Sequence, residues 1–294
     1  ELELHSATQK WETEIHSQGR EIEKKVKDSK FDRENFSKIF NEYCSSITEI
    51  SKSSLSEYVI RRKAILDLLE KAIEIQEDNR YCSEETLHSI ICPMRYTSDE
   101  IEFEEMNLWI IDDRLAYHTF LASDKLMKSL PVLDTSVEKR MDIAIFDQAF
   151  SFSDNQDFFN SISIVEFKKP NRNDLKDDDK NPINQVLGYV KNIKEGKAKR
   201  PNGRPFVNVS NTAFYCYVIA DLTDSMREDA INASLMLTPD GDGYFGYNQT
   251  RGAYIEVISY DKLVRDAKQR NKILFDKLFD PKVSEVLNSK LLNE

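Results

Sequence analysis

Glycine and proline divide this chain into two unequal parts. Residues 1–92 contain one glycine, Gly19, and no proline, whereas the other seven glycines and all eight prolines follow. Because these residues interrupt helices more than any others, the first part is predicted to be entirely helical. Helices are predicted over residues 7–28, 32–50 and 54–76, and the last has apolar residues at three-to-four spacing. We assign residues 1–86 to a helical connector or oligomerisation region.

The composition predicts a globular chain of the cytoplasm. Hydrophobic residues make up 40% and charged residues 32%. The sequence contains no run of about 18 apolar residues, the length that would be needed to span a bilayer. No signal peptide is recognised. The cysteines, at positions 44, 82, 92 and 216, lack the spacing of a disulfide scaffold or a zinc site. The chain begins with Glu1, and we expect it to be the C-terminal part of a longer protein.

From residue 87 onward the pattern alternates between helices and strands. Helices are predicted over residues 104–126, 181–196 and 261–279, and strands over 141–147, 161–168, 213–222 and 253–260. Between the first two strands we expect a polar loop or a hairpin with a strand near Ala149. The order predicts an α/β fold with a mixed sheet flanked by helices. We assign residues 87–294 to this domain.

The stretch SISIVEFKKP, residues 161–170, combines an apolar strand with a charged end. Residues two apart in a strand share a face, so Val165 and Phe167 point one way and Glu166 and Lys168 the other. On an exposed strand such an ion pair is common and worth little. Asp142 opens the preceding apolar strand. If the two strands are neighbours, the carboxylates of Asp142 and Glu166 meet.

Two close carboxylates repel each other unless a cation lies between them. Oxygen ligands with room for water suit Mg²⁺ or Mn²⁺, so Asp142 and Glu166 are the candidate metal ligands. Lys168 would face the same place, position an attacking water and offset charge on a phosphate. The plainer alternatives remain open at this stage. Asp142 could pair with Arg140, and Glu166 and Lys168 could form an ordinary surface ion pair.

Asp142 followed by Glu166-x-Lys168 at a strand end resembles the motif of the PD-(D/E)xK nuclease superfamily, with Met141 in place of the usual proline. The resemblance implies a restriction-endonuclease-like α-β-β-β-α-β core. It also implies a further polar residue on the helix after the motif, and Gln185 takes that role, with Tyr189 one turn on.

The leading helix of the superfamily often supplies an acidic residue as well. Glu104 is the first choice for this acid, because it lies four residues before Leu108 and so near the inward face of the predicted helix. Glu105 and Asp112 are alternatives. The catalytic set implied by the resemblance is therefore Asp142, Glu166, Lys168, Gln185 and Glu104.

Four longer segments are similar to the Shedu-type nuclease domain of bacterial anti-phage defence proteins and to the nuclease ends of larger proteins with a GHKL (Hsp90/gyrase-like) ATPase. The segments are NLWIIDDRLAYHTFLASDKL, VEFKKP, NPINQVLGYV and YDKLVRDAKQRNKILFDKL. The similarity covers roughly residues 87 to 280. It implies Mg²⁺- or Mn²⁺-dependent cleavage of DNA to 5′-phosphate ends, a homodimer or higher homo-oligomer, and an N-terminal ATPase or sensor domain in the full-length chain.

A binding function is the alternative to an enzyme. The same fold could be a catalytically silent module that binds DNA ends or a partner under the control of a missing N-terminal part. The charge distribution is compatible with both functions. The net charge is −11, yet residues 166–204 contain eleven Lys and Arg against six Asp and Glu. A local basic strip can meet phosphates on an acidic body, although a solvated helix end would look the same.

Overall fold

The structure, a computed structural model, describes residues 49–148, 161–175, 180–195, 197–198 and 212–279. The helix predicted over residues 7–28, nearly all of the one over 32–50 and the strand considered near Ala149 lie outside these ranges. The chain divides into two compact units, residues 1–61 and 62–294. The second unit contains every described strand, and it begins before the boundary predicted at residue 87.

Five α-helices are present in the described ranges. They are α1 (Glu49–Ile73), α2 (Glu84–Ile91), α3 (Pro182–Glu195), α4 (Asp224–Asn232) and α5 (Tyr260–Phe279). The helices predicted over residues 54–76, 181–196 and 261–279 are confirmed as α1, α3 and α5. Helix α3 begins at Pro182, whose fixed φ suits a first helical position. The preceding Asn181 caps it through Oδ1, which accepts from the Ile183 amide at 2.9 Å. None of these described helices has the length and apolar character needed to cross a bilayer.

The strands form a seven-stranded mixed sheet and a small two-stranded one. The larger sheet contains β1 (His118–Leu126), β3 (Arg140–Gln148), β4 (Ser161–Phe167), β6 (Ala213–Ile219), β7 (Met236–Leu237), β8 (Gly243–Asn248) and β9 (Ala253–Ile258), and β2 (Leu133–Asp134) pairs with β5 (Lys197–Ala198). The order is β1-β3-β4-β6-β9-β8-β7. Strands β4, β6 and β9 are parallel neighbours, and the other pairs are antiparallel. The predicted α/β class with a mixed sheet is confirmed.

Helices cover both faces of this sheet. On one face, Ile183, Val186 and Val190 of α3 pack with alternate residues of the central strands. On the other face, residues of α2 and α5 pack with Val165 and Phe167 of β4. All seven residues of β4 are buried. A strand covered on both sides reads as a continuous apolar run, and this explains why Glu166 stands out in its sequence.

The region 104–126 contradicts its prediction as a helix. It contains the 3₁₀ turns Phe103–Glu105, Leu108–Ile110 and Asp113–Ala116, followed by strand β1. Leu108, Ile111 and Leu115 are buried as expected. However, Arg270 Nη2 of α5 donates to the carbonyls of residues 109, 110 and 111 at 3.1, 2.6 and 3.3 Å. A side chain distant in sequence thus satisfies acceptors that a continuous helix would satisfy itself.

Candidate functional site

Strand register brings the two predicted carboxylates together. Ile143 of β3 pairs with Val165 of β4 in antiparallel register. The next position toward the strand ends places Asp142 opposite Glu166, and opposite residues of antiparallel strands share a face. Asp142 Oδ2 accepts a hydrogen bond from the Phe167 amide at 2.7 Å. One oxygen of Asp142 is therefore anchored to the end of β4, beside Glu166.

Lys168 and Glu166 form a buried ion pair. Lys168 Nζ donates to Glu166 Oε1 at 2.6 Å, and the two residues are only 4% and 3% exposed. The alternative interpretation, that Glu166 and Lys168 form an ordinary surface ion pair, is therefore wrong. The backbone of Lys168 is also held, because its amide donates to the Ile219 carbonyl at 2.9 Å and its carbonyl accepts from the Tyr260 hydroxyl at 2.8 Å. The lysine is fixed at the C-terminal end of β4.

The ionised forms of both carboxylates are disfavoured at this site. Burial and the charge of Glu166 raise the pKa of Asp142 well above its ordinary value. Burial also raises the pKa of Glu166, against the opposing effect of Lys168. Glu166 Oε2 is buried and has no hydrogen-bond partner among the described residues. Such a group favours either a proton or a cation at this position.

Glu84, the first residue of α2, is a third acid that the sequence analysis missed. Its Oε2 accepts from the Lys169 amide at 3.1 Å and lies 3.8 Å from Arg172 Nη1. Its negative charge contributes to the raised pKa values of Asp142 and Glu166. A signal was available, because Ser83 caps this helix through Oγ, and a serine followed by acids and an apolar run marks a helix start.

The acids proposed from the sequence for the leading helix lie elsewhere. Glu104 and Glu105 are exposed in the turn Phe103–Glu105. Asp112 caps the turn Asp113–Ala116 and forms an ion pair with Arg114. Burial favours a raised pKa for Asp112, but hydrogen bonds from Arg114 outweigh it and lower the pKa. The placement of Glu104 depended on a helix that the region does not form, and the structure brings Glu84 to the carboxylates instead.

Gln185 and Tyr189 lie one turn apart on α3, so their side chains share a helix face. Gln185 is half-buried and Tyr189 is buried. Burial raises the pKa of Tyr189, and the charges of Glu166 and Asp142 raise it further. Tyr189 packs in the same core cluster as Ile164 of β4, and Glu166 continues that face of the strand. Gln185 is on the same face of α3 as Tyr189.

A buried imidazole supports the strand end from the opposite face of the sheet. The His88 ring stacks on Phe167 with centroids 5.2 Å apart and an angle of 25° between the planes. His88 Nε2 is 2.9 Å from Ser123 Oγ on strand β1. Burial lowers the pKa of His88 to about 4, so the imidazole is neutral near pH 7. Since the Phe167 amide holds Asp142, His88 belongs to the packing that positions the site.

The donor set fits a magnesium ion. Mg²⁺ binds through one or two carboxylates and keeps several waters. Asp142 and Glu166 supply hard oxygen atoms, and the buried Glu166 Oε2 is available to a cation. Among the described residues, no group of three or more His, Cys, Asp and Glu side chains has the arrangement of a metal site. Water and substrate oxygens would therefore complete the coordination.

Comparisons of the chain with protein-family models, with curated proteins and with solved structures found no match. The geometry itself defines the site as two acids and a lysine at the ends of adjacent strands in an α/β sheet. Their burial and mutual contacts are the basis for the functional proposal.

The two glutamates provide a test of which acid belongs to the site. We expect Glu84→Gln to weaken Mg²⁺ binding by about tenfold or more, within the range for groups that support metal ligands. We expect Glu104→Gln to leave the Mg²⁺ affinity within twofold of the wild type, because that side chain is exposed in the turn Phe103–Glu105. Calorimetric titration with Mg²⁺ measures both variants. A loss in Glu104→Gln with none in Glu84→Gln would reverse the assignment.

Proposed function

We propose that this chain is a metal-dependent DNA endonuclease of the PD-(D/E)xK type, related to the Shedu-type nuclease domains of anti-phage defence. The observation that carries the proposal is the buried contact of Lys168 with Glu166 beside Asp142, with one Glu166 oxygen lacking a hydrogen-bond partner among the described residues. Two acids and one lysine at the ends of neighbouring strands can hold a divalent cation and orient a water for phosphodiester hydrolysis.

Charge balance supports a requirement for the cation. When all are ionised, three acids outnumber the two cations beside them. The acids are Asp142, Glu166 and Glu84, and the cations are Lys168 and Arg172. A phosphodiester is itself negative, so this cluster would repel it. When bound, a divalent cation supplies the positive charge that admits the phosphate and favours ionisation of a water.

The chain's own residues then perform distinct tasks. Glu166 holds Lys168 Nζ at 2.6 Å, and the fixed backbone of Lys168 limits the positions its ammonium can reach. Lys168 orients the attacking water and stabilises charge on the phosphate oxygens. Asp142 keeps one carboxylate oxygen on the Phe167 amide and presents the other to the site. Gln185 lies on the helix face above the carboxylates and orients the water or the lysine.

The proposal is tested with supercoiled plasmid and linear DNA in the presence of Mg²⁺, Mn²⁺ or EDTA. We expect cutting with either metal and none in EDTA, with products that carry 5′-phosphates. Thermal unfolding supplies a readout independent of activity: Mg²⁺ should raise the melting temperature of the wild type but not of Asp142→Ala. If full-length protein neither cuts DNA nor is stabilised by a divalent metal, the proposal is wrong.

One observation favours a second function, a nuclease-like module that binds DNA without cutting it. Lys168 is almost inaccessible and already bound by Glu166, so it would have to exchange this partner for substrate in the catalytic cycle. A silent module would need no such exchange. Salt-dependent DNA binding without hydrolysis, unchanged by Lys168→Ala, would select the binding function.

A further inference from the structure

Two arginines share one carboxylate at the edge of the candidate site. Arg95 Nε lies 3.3 Å from Asp124 Oδ2, and Arg140 Nη1 donates to both Asp124 carboxylate oxygens at 3.4 Å. The arginine side chains are 78% and 51% exposed, whereas that of Asp124 is 14% exposed. The carboxylate is thus mostly covered, and the two guanidinium groups extend from it into solvent.

The register of the sheet places this group next to the catalytic acids. Ser123 pairs with Ile143 and Lys125 pairs with Met141, so Asp124 occupies the position opposite Asp142. Arg140 lies two residues before Asp142 on β3. Residues two apart in a strand have Cα atoms about 7 Å apart. Because β1 neighbours β3 and β3 neighbours β4, Asp124, the partner of both arginines, lies one strand from Asp142 and two strands from Glu166.

The backbone that carries this group is held in an uncommon conformation. Arg95 and Asp124 have φ values of 69° and 48°, in the left-handed region that side chains other than glycine disfavour. The Arg95 amide donates to the Ser123 carbonyl at 2.9 Å, and the Ser123 amide donates to the Tyr96 carbonyl at 2.9 Å. The segment before β1 is therefore fixed against its edge. Such strain is common at ligand-binding positions.

Charge and chemistry identify the ligand class. Arg95 and Arg140 bring two positive charges to a place where Asp124 supplies one negative charge. The arginine side chains are more than half exposed, so their guanidinium groups can contact a ligand from solvent while Asp124 stays paired. Guanidinium groups bind phosphate oxygens through two parallel hydrogen bonds, which lysine cannot do. An anionic phosphate is the ligand that fits this arrangement.

We propose that Arg95 and Arg140 bind a backbone phosphate of the nucleic acid next to the phosphate that is cut, with Asp124 holding both side chains ready. This inference rests on the proposed nuclease function, because it assigns the partner of these arginines from the neighbouring acids. It adds a binding site that is separate from the carboxylates and lysine.

The test measures binding of a fluorescent DNA duplex by anisotropy across a salt series, in full-length Lys168→Met protein with Mg²⁺ present. We expect Arg95→Ala/Arg140→Ala to weaken binding by about tenfold or more. The slope of log K against log salt should fall in magnitude by roughly 0.9, the value for one lost phosphate contact. Arg95→Lys/Arg140→Lys keeps both charges and should retain the slope while losing affinity.

The matched control is Arg265→Ala. Arg265 is also a partly exposed arginine with acidic partners, the nearby Asp266 and the pair Asp240 and Asp242. The pair belongs to the segment between β7 and β8, at the other edge of the sheet. This variant should leave affinity and slope unchanged. Circular dichroism confirms that each variant is folded.

The outcomes separate this inference from the nuclease proposal. If the wild type cuts DNA but the double variant binds with unchanged affinity and slope, the phosphate site is wrong and the nuclease proposal stands. If the wild type binds DNA without cutting and the double variant loses the slope, the phosphate site stands without the hydrolysis. If the wild type does not bind DNA, both are overturned.

Discussion

Replacing Lys168 with methionine is expected to lower the rate of DNA cleavage by about 10²–10³-fold, the usual cost of removing one donor that stabilises charge in a transition state. Methionine keeps much of the volume of the lysine stem, so packing changes little. The ammonium that contacts Glu166 at 2.6 Å is lost. Single-turnover cleavage of a labelled duplex measures the effect on the chemical step.

The fold should survive this substitution. Removing one partner of a buried ion pair leaves an uncompensated charge, but burial already raises the pKa of Glu166, so the glutamate can take up a proton instead. Lys262→Met is the matched control. Lys262 is another lysine that is mostly buried, with a side chain 14% exposed, and it pairs with Asp240 and Asp266. Its cleavage rate per folded molecule should equal that of the wild type. A wild-type rate in Lys168→Met would remove the lysine from the mechanism.

The metal-free protein is expected to lose stability as the pH rises above the ordinary aspartate pKa, in part because of Asp142. Burial and Glu166 raise the pKa of Asp142 in the folded state. The folded protein therefore keeps a proton at a pH where the unfolded chain has lost it. The stabilisation that results from the raised pKa of Asp142 is fully present below the ordinary aspartate pKa. It is lost as the pH rises through the pKa of Asp142 in the folded state.

The variant that isolates this effect is Asp142→Asn. Its amide oxygen can still accept from the Phe167 amide, but it has no proton to lose. We expect it to be more stable than the wild type at pH 8 in EDTA and to show a flatter pH profile, where one pKa unit corresponds to about 1.4 kcal/mol. Urea unfolding at several pH values measures the difference. Asp276→Asn, at a partly exposed helix position where the carboxylate pairs with Lys272, should follow the wild type.

Added Mg²⁺ provides the complementary measurement. At pH 8 it should raise the unfolding free energy of the wild type, because binding to the folded state alone stabilises that state. It should have little effect on Asp142→Asn, which lacks one ligand charge. A wild-type profile that rises or stays flat between pH 5 and 8 in EDTA, with Asp142→Asn identical to it, would contradict the electrostatic description of the pair.

Local periodicity was enough to predict the elements that surround the site. The alternation in β4 correctly assigned Val165 and Phe167 to the core, and both are fully buried. The apolar face of α3 was also predictable, because a helix packed on a sheet must present a stripe of apolar residues at three-to-four spacing. These elements depend on their own residues and on contacts to the same strands.

The structure of the region before β1 could not be predicted from local periodicity. Leu108, Ile111 and Leu115 have helical spacing, yet hydrogen bonds from Arg270 of α5 replace those of a helix, and pairing with β3 extends the following residues. The same error placed the third acid at Glu104. Glu84 reaches the site only because α2 packs against the end of β4.

By itself, the sequence determined the apolar strand that ends in Glu166 and Lys168, the acid that opens its neighbour, and the α/β class of the domain. These follow from periods of two and 3.6 residues, which are local properties of the chain. Only the tertiary structure decided that the ion pair is buried, that Glu84 joins it and that Asp124 holds two arginines beside it. Burial and strand register depend on contacts between distant segments, and no local pattern contains them.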